Sequence, residues 1–171
     1  MPLLTRGALL VACAILPLSP LGAQSAPATG TRIITVNPLG LLQFGPTIEF
    51  EKLTQPDVGI AGGLRIPSAG LLAHVIDPDI EFAWLVMGQV RFHQDMRRPA
   101  GWWWGPRAEV GKSTSAGTSY NLIGGGVEVG HNRISTTGRV LALGAIAGMF
   151  KSDGGLSGAF VMGVVSIGRI R

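Results

Sequence analysis

The sequence has little cysteine and little charge, and each shortage narrows the class of protein. The only cysteine among 171 residues is Cys13, in a segment that we expect the mature protein to lose, so the mature chain has no disulfide or thiol chemistry. Charged residues make up 14% of the chain, well below the usual level of roughly a quarter. The formal net charge of +4 is small and dispersed, and it does not favour nucleic acid as a partner.

Long hydrophobic runs are also missing beyond the N-terminal segment. Hydrophobic residues reach 46% of the chain, yet no later apolar run attains the roughly 18 residues that a membrane-spanning helix needs. Glycine is abundant, with 26 residues, which is about twice its average frequency. High glycine, low charge and the lack of a spanning helix together favour strands that cross a membrane.

Residues 1–23 have the pattern of a secretory signal peptide. Arg6 is their only charge, Gly7–Leu16 is an apolar core, and Leu21-Gly22-Ala23 offers a small-residue cleavage site. Cleavage after Ala23 would remove Cys13. The polar residues 24–31 then predict a flexible leader, and residues 32–171 predict one barrel domain.

The clearest strand pattern lies in residues 81–94. Successive side chains of a strand point to opposite faces. One face of this segment would be apolar with an aromatic residue at each end, whereas the other would carry Glu81, Arg91 and His93. Such a division predicts a wall that faces lipid and a polar face that turns into a barrel.

About eight segments of this kind, each of roughly ten residues, follow one another along the chain, and that length suits a tilted strand that crosses a bilayer. The predicted fold is an all-β, closed, antiparallel up-and-down barrel of about eight transmembrane strands. If the chain starts in the periplasm, the connections at residues 37–40, 67–80, 113–118 and 152–155 face outward. Only residues 67–80 are long, so there is little material for an external binding site.

Three parts of the chain are similar to the small eight-stranded bacterial outer-membrane barrels. These are VNPLGLLQFGPTIEFEKL at residues 36–53, GWWWGPRAEVGK at residues 101–112, and the glycine-alternating strands that follow. The resemblance covers nearly the whole mature chain and implies an outer-membrane location with lipid as a partner. Barrels of that family commonly end in an aromatic residue used for insertion, whereas this sequence ends in Ile170-Arg171, a departure that concerns the assembly route.

Charged residues on the polar faces of the strands predict a network inside the barrel. The interior of an eight-stranded barrel is filled by side chains rather than open as a pore, and buried charges must be paired. An interior salt-bridge network is therefore expected, and a gated ion path or a carboxylate pair is the functional alternative. The candidate members are Glu49, Glu51, Arg91, Arg107, Glu109, Glu128 and Arg169.

Aromatic residues near the strand ends predict a girdle at the membrane interface, because aromatic rings favour the headgroup level. Core packing in a soluble barrel is the alternative. Three consecutive tryptophans cannot all point the same way on a strand, so at least one must face inward or lie in a turn. The predicted girdle consists of Phe82, Trp84, Phe92, Trp102, Trp104 and Tyr120.

Two weaker constellations suggest chemistry. His131, Ser135 and Glu128 resemble the residues of lipid A-deacylating barrels, although their spacing departs from the family's His-any-Ser-Asn arrangement. His74 with Asp77 and Asp79 could hold a cation weakly, but a solvated loop is the simpler interpretation.

The sequence therefore predicts an exported barrel with no catalytic residue, cofactor or metal. Its role would be structural or would depend on an envelope protein partner that the sequence does not identify. One alternative is a secreted or periplasmic lipocalin-like barrel that binds a small apolar ligand, and another is a membrane hydrolase. Polarity separates the first two, because a ligand-binding barrel would turn its large apolar face inward.

Overall fold

The structure is a computed structural model that describes residues 32–55, 57–94 and 99–171. The signal peptide and leader predicted for residues 1–31 lie outside this part of the chain. The described chain contains a short helix, α1 (Leu71–Ile76), two 3-10 turns (Pro38–Leu42 and Pro67–Ala69), and eight strands. The strands are β1 (Arg32–Asn37), β2 (Thr47–Leu53), β3 (Val58–Arg65), β4 (Ile80–His93), β5 (Gly101–Ser115), β6 (Thr118–Ile134), β7 (Arg139–Ser152) and β8 (Ser157–Ile170).

Each strand pairs antiparallel with the next, and β8 pairs with β1 to close the sheet. The predicted all-β, closed, antiparallel barrel of eight strands is thus confirmed. Arg32 and Arg171 also exchange two main-chain hydrogen bonds, so the two ends of the barrel domain lie side by side. We call this end of the barrel the terminal end and the opposite one the distal end.

The two faces of the wall have opposite polarity. On β4, Gln89, Arg91 and His93 are buried inside the barrel, whereas Val90 and Phe92 are exposed on its outer surface. The same alternation continues across β5, because the register of β4 and β5 is regular over most of their length. The predicted outward position of the apolar face is therefore confirmed. Among the described residues, no helix is long and apolar enough to cross a membrane.

The wall is tall on one side and short on the other. Strands β4 to β8 contain 14 to 17 residues each, but β1 to β3 contain only 6 to 8. In the described barrel, β1 and β3 therefore end before they reach Ser157–Ser166 of β8 and Ile80–Trp84 of β4. Residues 38–46 and 66–79 cover this gap. Gln43 holds the first of them against β8. With its side-chain amide in the orientation that satisfies both of its polar atoms, it donates to the carbonyl oxygen of Gly163 at 2.8 Å and accepts from the Gly163 N–H at 3.1 Å.

Two glycines provide a test of the close approach between β4 and β5. A Cβ atom at Gly105 would lie 1.7 Å from the carbonyl oxygen of Val90, whereas a Cβ atom at Gly88 would meet nothing within 4 Å. We expect Gly105→Ala to lower the free energy of unfolding by about 1–3 kcal/mol, because the main chain must shift. The matched change Gly88→Ala should leave it unchanged or slightly higher. Urea unfolding followed by tryptophan fluorescence measures both, and equal midpoints would contradict the strand spacing.

Candidate functional site

The terminal half of the barrel is filled by charged side chains that project inward from five strands. Along each strand, buried and exposed side chains alternate, and these residues occupy the buried positions. Each of them is at most 6% exposed. We call them the interior network. Its members are Glu49 and Glu51 on β2, Arg65 on β3, Arg91 and His93 on β4, Arg107 and Glu109 on β5, and Glu128 on β6.

Arg91 connects β2 to β4 within the interior network. Its Nη1 donates to Oε2 of Glu51 at 2.9 Å, and its Nη2 donates to Oε2 of Glu49. Its Nε donates to Oε1 of Gln89 at 2.9 Å. The guanidinium carbon lies 4.1 Å from the centroid of the Trp103 ring, a distance at which the cation and the aromatic face attract one another. Every side of this buried cation is thus in contact with a favourable partner.

Arg107 connects β2, β5 and β6. Its Nη1 lies 3.0 Å from Oε1 of Glu49 and 3.0 Å from Oε2 of Glu128. Its Nε donates to Oε1 of Glu109 at 2.6 Å, and the same oxygen lies 3.1 Å from Nη2 of Arg65 on β3. The ion pairs therefore form one continuous system, in which the Glu49 carboxylate joins the Arg91 and Arg107 groups.

His93 ends this system nearest the terminal end. Its Nε2 lies 2.6 Å from Oε1 of Glu51, and since an ionised carboxylate only accepts hydrogen bonds, that nitrogen carries a hydrogen. Within the described part of the chain, Nδ1 of His93 has no hydrogen-bond partner. The carboxylates of the network outnumber its guanidinium groups by one. The count sets Glu49, Glu51, Glu109 and Glu128 against Arg65, Arg91 and Arg107.

The interior network is closely packed within the described part of the chain. A cavity between its members and the inner wall, where Ile33, Val140 and Val164 line it, has a volume of about 10 Å³, which is enough for about one water molecule. Each carboxylate also accepts from at least one guanidinium group. This arrangement favours a salt-bridge network that links five strands over a gated ion path or a free carboxylate pair.

Six of the seven residues predicted for the network lie in it, and the prediction for Arg169 is wrong. Arg169 is exposed, because it has the outward parity of β8 and lies opposite Ile34 on one side and Arg139 on the other. Neither Arg65 nor His93 was among the residues predicted for the network. His93 lies two residues from Arg91 and so on the same face of β4, which was a usable signal. Arg65 is the last residue of β3, a glycine-rich strand in which polar and apolar residues do not alternate clearly.

Most of the predicted girdle residues lie on the outer face. Phe92 and Trp104 stack near the terminal end with ring centroids 4.8 Å apart, and Trp102 lies beside them on β5. Phe82 and Trp84 have the same outward parity near the distal end.

Two other aromatic residues point inward. Trp103 is 2% exposed and donates from Nε1 to Oδ1 of Asn132 at 2.9 Å, as the alternation of three tryptophans requires. The prediction that Tyr120 belongs to an outward girdle is wrong. Tyr120 has the inward parity of β6, opposite the buried Ser113, and its ring lies against Gly154 in the turn between β7 and β8.

The residues considered for lipid hydrolysis do not come together. Glu128 points inward and is bonded to Arg107, whereas the ring of His131 lies edge-on to Trp102 with centroids 5.2 Å apart. The hydroxyl of Ser135 bonds within its own turn. A nucleophile needs its base within hydrogen-bond reach, and these three residues do not provide that contact.

The loop considered for cation binding uses its polar groups within the protein. Nε2 of His74 lies 2.8 Å from the carbonyl oxygen of Ser68, and Asp77 accepts from the Ser115 hydroxyl at 2.8 Å. In residues 32–55, 57–94 and 99–171, no group of three His, Cys, Asp or Glu side chains is arranged to hold a metal ion.

No family model, curated protein or solved structure matches this chain. The arrangement of its own residues is therefore the basis for a functional conclusion. That arrangement is a barrel with an apolar outer wall, a paired charged interior at the terminal end, and a different interior at the distal end.

Removing one cation tests the interior network. Arg107→Met keeps much of the side-chain volume but removes the guanidinium group that Glu49, Glu109 and Glu128 contact. We therefore expect the free energy of unfolding to fall by about 3–5 kcal/mol. The matched change Arg169→Met, on the exposed face of β8, should alter it by less than about 0.5 kcal/mol. Urea unfolding of both variants measures the difference. Equal destabilisation would mean that the network is not formed.

Proposed function

We propose that the protein is an outer-membrane β-barrel with a structural or interaction role and a side-chain-filled terminal half. The observation that carries this proposal is the polarity of the wall, with charge inside and large apolar side chains outside. Val110, Ile123 and Val161 are 54%, 59% and 75% exposed, and similar residues surround them. A continuous apolar surface of this kind is rare on a soluble monomer. Contact with lipid removes the free-energy cost of exposing that surface to water.

The spacing of the aromatic residues supports a membrane location. Phe82 and Phe92 lie at opposite ends of the outward face of β4. Ten residues of a strand extend about 33 Å, which is about 25 Å along the axis of a barrel whose strands tilt by about 40°. The apolar band of an outer-membrane barrel is also about 25 Å tall, with aromatic girdles at its two boundaries. The two aromatic levels therefore suit the two interfaces of one bilayer.

A group of cations at the terminal end supports the same location. These residues face outward on five consecutive strands, and we call them the basic collar. Arg32 lies opposite Lys52, and Arg139 lies opposite Arg169. Like charges in directly opposed positions destabilise a sheet, and anionic headgroups would relieve that repulsion while attracting each cation. The collar consists of Lys52, Arg32, Arg169, Arg139 and Arg133 on β2, β1, β8, β7 and β6.

The interior favours a structural or interaction role over transport. Paired charged side chains fill the terminal half, and the connections at the distal end are short apart from residues 38–46 and 66–79. A lipocalin-like barrel would have apolar side chains facing inward along its whole length. In the terminal half of this barrel the inward side chains are charged and the apolar ones face outward. Lipid hydrolysis has little support, because Glu128 and His131 lie on opposite faces of β6.

Cell fractionation is the direct test of the membrane proposal. We expect a tagged protein to be recovered in the outer membrane and to need detergent for extraction. On a gel, the unheated protein should then migrate differently from the boiled protein, because a closed barrel resists unfolding. A protein that is freely soluble in the periplasm without detergent would contradict the proposal.

A charge on the outer wall distinguishes lipid from water as its surroundings. Val110 lies on β5 between the two aromatic levels, and in a bilayer Val110→Arg should lower the free energy of unfolding by about 2–4 kcal/mol. In water the same exposed substitution should change it by less than about 0.5 kcal/mol. Thr118→Arg, at the exposed first residue of β6, is the control and should be neutral in both media. Urea unfolding in phospholipid vesicles gives the comparison.

A further inference from the structure

The distal half of the barrel contains a cavity that the interior network does not fill. Centres of water-sized spheres fit within about 130 Å³ of it, and its lining is almost entirely apolar. The inward-facing side chains of β6 to β8 include polar ones near the terminal end, but around the cavity they are apolar. The side chains that define the cavity include Phe44, Leu85, Leu122, Phe150, Phe160 and Met162.

The charged groups at the floor of the cavity already have partners. Arg65 lies 3.1 Å from Glu109, and its Nε donates to the hydroxyl of Thr47 at 3.4 Å. Glu109 is bonded in turn to Arg107 at 2.6 Å. Because these groups are satisfied by the protein, they offer little to a charged ligand. Water would also find few partners along the walls, and a roomy cavity without polar partners favours an apolar occupant.

The shape of the cavity favours a linear occupant. Its lining extends from Met162 on β8 to Leu156 just before that strand, which is about 20 Å of extended chain and about 15 Å along the axis of a tilted barrel. Across that axis, a barrel of eight strands has room for side chains or for one small ligand. A single flexible hydrocarbon chain fits a space of this length and width.

The cavity lies beside the gap in the wall between β8 and β4. Helix α1 covers part of this gap, with Ala73 buried against the cavity and with Leu71 and Val75 exposed on the outer side by 60% and 69%. Ile76 lines the cavity and is also 53% exposed, so it belongs to both surfaces. The cover is short, and one link to its neighbours is the hydrogen bond from the Leu72 N–H to the Gln43 carbonyl oxygen at 3.0 Å. Ile76 thus presents apolar surface both to the cavity and to the outside of the barrel.

We infer that the distal cavity binds one linear acyl chain, which enters from the side through the gap that α1 partly covers. The chain lies along the barrel axis above the Arg65–Glu109 pair, and its headgroup stays outside the wall. This inference goes beyond the proposed function, which assigns no ligand. Occupancy of the cavity does not depend on a membrane location, whereas entry from a bilayer does, so the two can fail separately.

Photochemical labelling tests the acyl-chain site. The mature protein is held in an amphipathic polymer, because detergent tails would compete for the cavity, and is illuminated with a fatty acid that carries a diazirine near its methyl end. We expect mass spectrometry to find the label on the cavity lining, at Leu122, Phe150 or Phe160. Labels confined to the outer wall, for instance at Val127 and Val161, would overturn the inference.

A cavity-filling variant and a matched control separate the interior from the surface. Ala83 is fully buried and lines the cavity, so Ala83→Trp should reduce interior labelling at least tenfold. Ala108 is exposed on the neighbouring strand, and Ala108→Trp should leave interior labelling unchanged. If Ala83→Trp prevents folding, Ala73→Trp fills the same cavity from α1 instead of from the barrel wall. Equal interior labelling in a folded filled variant and in the control would contradict the site.

A second arm identifies the source of the chain. A phospholipid with the diazirine in one acyl chain replaces the free fatty acid, and the protein is placed in vesicles. Interior labelling by the phospholipid would support entry from the bilayer. Interior labelling by the free fatty acid alone would support the cavity as an acyl-chain site and would overturn lateral entry from the bilayer.

Discussion

The structure depends on the requirement that charge buried in a closed barrel must meet charge of opposite sign. The Arg107 guanidinium alone contacts carboxylates from three strands, at Glu49, Glu109 and Glu128. Such contacts exist in only one register, because a slip of one residue would turn the carboxylates outward and the apolar residues inward. The interior network therefore specifies how β2 to β6 pair, in addition to filling the space between them.

The two halves of the barrel use the same strands for different purposes. Near the terminal end, every strand has a neighbour on both sides, and the interior is polar, paired and filled. Near the distal end, β1 to β3 have stopped, and helix α1 and the two 3-10 turns cover a wall that lacks part of its strands. The interior there is apolar and incompletely filled. The interior network and the cavity proposed to bind an acyl chain are thus separated along the barrel axis.

The value of the sequence patterns differed from strand to strand. In β4 and β5, large apolar residues alternate with charged ones, so the inward positions of Arg91 and Arg107 could be predicted. In β3, glycines occupy several positions and the faces are not distinguishable, so Arg65 was not found. Tyr120 and Arg169 lie in strands whose two faces carry similar residues. Which face each side chain occupies depends on the register of β6 with β5 and of β8 with β7.

By itself the sequence determined the number of strands, the antiparallel closed barrel and the polarity of its wall, because side-chain alternation is a local property that each strand carries alone. Only the tertiary structure decided which charges meet, how high each strand reaches and where the cavity lies. Glu49 and Arg107 are 58 residues apart, and their contact depends on the register of every strand between them. The gap beside α1 likewise results from the different lengths of strands that are distant in sequence, and no local pattern contains that relation.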